Sequence, residues 1–149
     1  MDFNALLFVI LLTLFPGIEL RGGIAYGIAS GLDPFLVFVV SVAVNILVII
    51  PIYIFLEFLF HYFENLPGVR GIVSKTREKT QKYVEKYGFI GLAVFVGIPF
   101  PGTGVYSAAL GAHLLGIKRR VAIPAMVLGV FIAAIIVVIL SIGIFGFIL

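Results

Sequence analysis

Phe15-Pro16-Gly17-Ile18-Glu19-Leu20-Arg21-Gly22-Gly23 is the stretch whose reading decides the fold, because its opening returns 85 residues later as Phe100-Pro101-Gly102. The residues after each copy also match in kind. Gly23, Gly27 and Gly31 stand four apart after the first, and Ala108, Ala112 and Gly116 stand four apart at the same offset after the second. Proline and glycine are the strongest local breakers of regular structure. The chain therefore reads as two copies of one unit, roughly 3–60 and 88–145, each with a breaker in its first apolar segment and then a helix with a small-residue stripe. Paired interrupted segments in corresponding halves of an apolar chain mark a transporter-type internal repeat.

Composition sets the class. The chain has 149 residues, 62% of them hydrophobic and 11% charged, with a mean hydropathy of +1.28. A soluble domain of this length has too little interior to hide that much apolar surface. The runs 35–56 and 121–149 have the length to cross a bilayer, which takes about 20 residues. The N-terminus lacks a basic n-region and carries Asp2, so it does not read as a cleavable signal peptide. There is no cysteine, which excludes disulfides, thiolate chemistry and Cys-based metal sites.

Hydropathy divides the chain into five parts. An apolar, glycine-rich segment (3–31) is broken at Pro16-Gly17, and a long apolar run comes next (33–60). A polar centre (61–87) precedes a second glycine-rich apolar segment (88–117), broken at Pro99 and Pro101-Gly102. A second long run (121–149) ends the chain. Helical arms over 3–15 and 22–31 reach only about 20 and 15 Å, short of a hydrocarbon core of roughly 30 Å. They run either end to end as one kinked span or back on themselves as a re-entrant hairpin.

Charge discriminates between the two. With hairpins, the central loop and Lys118-Arg119-Arg120 share a side, which collects Arg70, Lys75, Arg77, Lys79, Lys82 and Lys86 with the later three. The other side has Asp2 and Asp33 and no basic residue. The positive-inside rule then places both termini outside and the 64–87 loop in the cytoplasm. The expected fold is an all-α integral membrane protein. Repeat 1 covers 1–60 (re-entrant hairpin 3–31, transmembrane helix 33–60), and repeat 2 covers 88–149 (hairpin 88–117, transmembrane helix 121–149). The copies are inverted, and a short amphipathic cytoplasmic helix joins them over 61–87. That helix alternates Lys and Arg with Glu and carries Tyr83 and Tyr87. It reads either as a surface helix drawn to anionic lipid or as a solvated linker.

Glu19 and Arg21 are the only charges within the two apolar hairpins and sit just past a tip. Intramembrane ionisable residues are functional-site hypotheses by default. Residues i and i+2 of a helix do not face one another, so each is expected to meet a substrate or the other hairpin; the bland alternative is a mutual salt bridge pinning the tip. Arg21 offers a permanent charge and a planar fork for phosphate or carboxylate. Free N–H groups at the start of each second arm add to this, with the backbone accessible at Gly22, Gly23, Thr103 and Gly104. Thr103, Tyr106 and Ser107 supply hydroxyls. Arg21 maps to Tyr106 at the repeat offset and Glu19 maps to Gly104, so the expected site is asymmetric. Substrate binding is assigned to Arg21, Gly22, Gly23, Thr103, Gly104, Tyr106 and Ser107, and proton coupling to Glu19. Pro16, Gly17, Pro99, Pro101 and Gly102 are structural breakers. Ser41 and Asn45 either face this site or hydrogen-bond between helices. Pro51 and Pro124 are expected to kink their helices. His61 and His113 are too few and too isolated for a metal site, and Glu57 is given no role. No metal, cofactor or catalytic residue is expected.

The stretches Pro-Gly-Ile-Glu-Leu-Arg-Gly-Gly (16–23) and Ile-Pro-Phe-Pro-Gly-Thr-Gly (98–104) resemble the two signature stretches of the putative small multi-drug export proteins. These are a prokaryotic membrane family distantly grouped with the DedA/VTT superfamily. The resemblance covers nearly the whole chain. It implies two re-entrant hairpins plus spanning helices in a prokaryotic cell membrane. It also implies movement of polyprenyl-phosphate carriers or other phospholipids, often linked to a proton gradient. By motif match, Glu19 and Arg21 take the place of the acidic and basic residues of the family's first hairpin.

The function expected is a small translocase for an anionic amphiphile, its partners being membrane lipids and a second copy in a homodimer, with no nucleic acid. The alternatives are a small multidrug or solute exporter and a structural assembly factor. An enzyme is disfavoured, because the sequence holds no Ser–His–Asp grouping, HExxH or paired-aspartate motif.

Overall fold

The computed structural model describes residues 2–148; Met1 and Leu149, the outer ends of the expected repeats, lie outside them. Among the described residues all regular structure is helical. The order is α1 (Phe3–Leu14), α2 (Glu19–Ala29), α3 (Pro34–Phe63), α4 (Pro67–Gly97), α5 (Val105–Leu115) and α6 (Arg119–Ile148).

Local chemistry places the ends. Asp2 caps α1 by accepting from the Asn4 amide at 3.1 Å, and Asp33 caps α3 by accepting from the Leu36 amide at 2.9 Å, with Pro34 next at the first turn; both are favoured starts. α1 stops before Pro16 and α4 stops before Pro99, where the ring of the following proline disfavours helical backbone. The turns beyond them need left-handed backbone, and they recur in register. Gly17 has φ 90 and Gly102 has φ 88; Gly31 has φ 76 and Gly116 has φ 72. Both pairs are separated by the 85 residues that separate the sequence motifs. The long helices keep the same spacing, since α3 and α6 have 30 residues each and begin at Pro34 and Arg119.

The first two arms fold back on one another. A Cβ at Gly27 would lie 2.9 Å from Val9 Cγ2 and 2.7 Å from Val37 Cγ2, so the α2 backbone packs directly against side chains of α1 and α3. The rings of Phe8 and Tyr26 pair across the two arms with centroids 5.8 Å apart. The end of α4 and α5 form the second hairpin, and α4 packs most extensively on α6. There a Cβ at Gly129 would meet Val96 Cβ at 2.6 Å and the Ala93 carbonyl at 2.7 Å. The expected small-residue stripes thus resolve into two jobs. Gly23, Gly27, Ala108 and Ala112 are buried packing positions, while Gly31 and Gly116 are left-handed helix ends.

The polar centre differs from expectation. The connector helix and the first arm of the second hairpin are one helix, α4, which runs unbroken across the expected boundary at 87/88. Hydropathy changes there, but no proline occurs between Pro67 and Pro99, so nothing interrupts the backbone ladder. Residues 61–63 finish α3, and Arg119 and Arg120 begin α6 rather than standing in a loop. Arg119 pairs with Glu57 at 3.2 Å and Arg77 with Glu64 at 3.2 Å. Arg77 also donates to the His113 carbonyl at 3.0 Å. The end of α3, the polar half of α4, the end of α5 and the start of α6 therefore share one end of the molecule.

Candidate functional site

The two hairpin tips meet, and they are joined by the charged pair that the sequence singles out. Glu19 opens α2 at 2% exposure. Its Oε2 accepts from the Val105 amide at 3.1 Å, the first N–H of α5. A carboxylate there satisfies an orphan donor and meets the positive end of the helix. The carboxylate sits where a side chain at residue 104 would be, which gives a reason for glycine at that position.

Arg21 reaches the same hairpin from the other side. Its Nη1 lies 3.4 Å from Glu19 Oε2. Its Nη2 points at the carbonyls of Val96 (3.1 Å), Ile98 (2.9 Å) and Thr103 (3.0 Å) and at the Thr103 hydroxyl (3.2 Å). These carbonyls close α4 and line the turn after it, where helix-end oxygens lack internal partners. The Thr103 hydroxyl in turn bonds the carbonyls of Ile98 and Phe100, both at 2.7 Å. Tyr106 completes the exchange by donating from its hydroxyl to the Leu14 carbonyl, the last of α1, at 2.6 Å. Arg21 and Tyr106 are 85 residues apart, so equivalent positions of the two hairpins each cap the end of the other's first arm.

The ion pair of Glu19 with Arg21 corrects the expectation that they would not face each other. That expectation assumed helical backbone at both. Glu19 instead has φ 53, the single non-glycine residue with positive φ among the described residues. This conformation is strained for a side-chain-bearing residue and rotates the carboxylate toward both Arg21 and α5. Strain of this kind gathers at functional sites. The expected free N–H groups at the start of α5 are correspondingly occupied by Glu19.

The other expected residues divide. Thr103, Gly104 and Tyr106 join Glu19 and Arg21 at the tips. Gly22 packs on the Ile18 side chain, and Gly23 is buried against Thr13, Val9 and Ser41. Ser107 lines a groove between α4 and α5. Pro16, Gly17, Pro99, Pro101 and Gly102 all fall in the two turns. Ser41 and Asn45 are fully buried on α3, and the Ser41 hydroxyl and both amide atoms of Asn45 have no hydrogen-bond partner. Asn45 approaches the Glu19 carboxylate without bonding geometry. Asn45 thus faces the site, whereas Ser41 lies against Gly23 in the packing of α2 on α3. Arg21 Nε is likewise buried without a partner. Buried orphan polar atoms are uncommon and call for a reason. Sequence reasoning missed the Leu14 and Ile98 carbonyls; helix-terminal carbonyls ahead of Pro16 and Pro99 are the signal that marks them. Among the described residues no group of three or more His, Cys, Asp or Glu could hold a metal ion.

The family profile described as Putative small multi-drug export protein matches residues 19–136, which takes in Glu19, Arg21, the whole second tip and all but the last 12 described residues of α6. No curated protein and no solved structure matches the chain.

Proposed function

Because this chain belongs to the Putative small multi-drug export protein family, we propose that it is a small membrane exporter whose two hairpins part and rejoin at their tips. The observation that carries this is the set of reciprocal tip contacts made by Glu19, Arg21 and Tyr106 inside an otherwise apolar helical protein. The 30-residue α3 and α6 are long and apolar enough to cross a bilayer. At 1.5 Å per residue they extend about 45 Å and so exceed the roughly 30 Å core, which tilting accommodates. The 11-residue α2 and α5 reach about 16 Å. Arms of that length, entering from opposite faces as re-entrant hairpins, would meet near the middle. The matched turns at Gly17/Gly102 and Gly31/Gly116 support an internal repeat, which the one-sided basic charge would make an inverted one.

The finer reading is an anionic amphiphile as cargo, with a proton as the coupled ion and a homodimer as the assembly. A cargo anion that replaces the Val96, Ile98 and Thr103 carbonyls on Arg21 would open the tips. Glu19, released from Arg21, would then be free to take up a proton. The protein acts in this reading as a carrier and not as an enzyme.

The test is reconstitution in vesicles bearing a pH gradient, with a fluorescent alkyl phosphate and, separately, the cation ethidium. The alkyl phosphate should move at a rate set by the gradient, and Glu19→Gln should flatten that dependence while binding persists. Movement of ethidium alone would exclude the anionic cargo, and movement of neither would count against export itself.

The basic residues clustered at one end support a cytoplasmic placement of that end. In the cysteine-free chain, a single cysteine at residue 2 should react with an impermeant thiol reagent from outside, whereas cysteines at 75 and 119 should not. Outside labelling at 119 with none at 75 would make each broken segment a crossing.

A further inference from the structure

The geometry points to a binding groove in the second hairpin for the hydrocarbon chain of a single-chain anionic amphiphile, entered from the basic end of α4. This deepens the export reading by giving the cargo's apolar part a place distinct from the tips. The groove holds about 340 Å³ between α4 and α5, with Tyr83, Tyr87, Leu92 and Phe95 on one wall and Ala108 and Leu115 on the other. Its volume is at the small end for ligand sites, which run from about 300 to 1,000 Å³, and admits one chain rather than two.

The groove is open because of two glycines that no packing requires. A Cβ at Gly91 or Gly111 would meet nothing within 4 Å, and neither has positive φ. Each sits inside a helix, where glycine costs about 1 kcal/mol relative to alanine. The corresponding positions of the first hairpin carry side chains instead. At the 85-residue offset Gly91 corresponds to Leu6 and Gly111 to Tyr26, and Tyr26 closes on Phe8 at 5.8 Å. One hairpin carries bulk where its counterpart carries glycine.

Charge selects the occupant. Tyr83 and Tyr87 also border a polar hollow lined by Lys79, Lys82 and Lys86 against the single acid Glu78. The Lys86 ammonium lies 5.2 Å from the Tyr87 ring centroid. An apolar trough with a cationic mouth matches a chain with an anionic head. Its far end, at Phe95 and Ser107, adjoins Val96 and Tyr106, which belong to the tip contacts, so an inserted chain would press where the hairpins are joined.

The test uses spin-labelled stearate with the purified protein in neutral phosphatidylcholine vesicles, read as the motionally restricted fraction. Wild type should show a saturable restricted component, displaced by palmitate and not by hexadecanol. Gly91→Leu/Gly111→Leu should weaken it at least tenfold with thermal unfolding unchanged or raised, since both side chains enter open space. Gly91→Ala/Gly111→Ala should give a smaller loss, which keeps the test valid if the larger pair misfolds. Lys82→Gln/Lys86→Gln should remove the preference for the carboxylate over the alcohol. An unaltered restricted component in the glycine variants, or equal displacement by hexadecanol, would overturn the proposal and leave the groove filled by bulk lipid. The readout is binding to the resting protein, so it stands or falls separately from transport.

Discussion

Arg21→Ala lowers the unfolding free energy by about 3–5 kcal/mol, the range for removing one partner of a buried ion pair. The Arg21 side chain is 13% exposed and that of Glu19 3%. The substitution leaves the Glu19 carboxylate with the Val105 amide alone and strips the carbonyls of Val96, Ile98 and Thr103 of their shared donor. Arg21→Lys should fall between the two, because a compact ammonium cannot span the carboxylate and the turn as the planar guanidinium does. The check is a double-mutant cycle with Glu19→Gln, read by denaturant unfolding in mixed micelles. Neutralising Glu19 removes the stranded charge, so the double variant should be more stable than additivity predicts by about 0.5–3 kcal/mol. Strict additivity would show that the pair is not coupled, and that the tips are held by the hydroxyl of Tyr106 and by packing.

Gly129→Leu is expected to cost about 3 kcal/mol or more, at or beyond the upper end for overpacking a core. Its Cβ would fall 2.7 Å from the backbone oxygen of Ala93 and 2.6 Å from Val96 Cβ. A helix backbone cannot swing aside as a flexible side chain can, so α4 and α6 must separate. The effect should reach the tips as well, since Val96 lends its carbonyl to Arg21. Gly143→Leu lies on the same helix with nothing within 4 Å of its Cβ. It should be neutral or mildly stabilising, because replacing glycine in a helix gains up to about 1 kcal/mol. Unfolding midpoints of the two variants side by side decide the matter; equal midpoints would mean that α4 and α6 are not in close backbone contact.

The breaks were legible because proline and glycine act locally. Pro16-Gly17 and Pro99, Pro101-Gly102 announce interrupted helices whatever surrounds them, and the turns fall there. The continuity of α4 was not legible from hydropathy. Hydropathy reports what a helix faces, whereas a helix ends where its backbone ladder is interrupted, and the polar-to-apolar change near residue 87 does not interrupt it. At the site, Glu19 and Arg21 stood out because charge is rare in such segments. Their partnership did not, because it hangs on one left-handed residue that is not glycine. Tyr106 was marked as the counterpart of Arg21 by repeat arithmetic alone, but its partner at Leu14 is 92 residues away and belongs to tertiary structure.

The exchange of caps between the hairpins is unequal, and that bears on the balance of states. Two halves alike in every residue, set head to foot, would form a mechanism that runs equally well forwards and backwards, since each state would be the other turned over. Here one half clasps its neighbour with a cation that shares four oxygen acceptors, and the other with a single phenol. The two clasps differ in strength and in their response to an anion, so a state that loosens one is not the energetic twin of a state that loosens the other. A near-symmetric scaffold with unequal clasps would populate its two opened states unequally, and the direction of any net movement would still be set by the gradients across it.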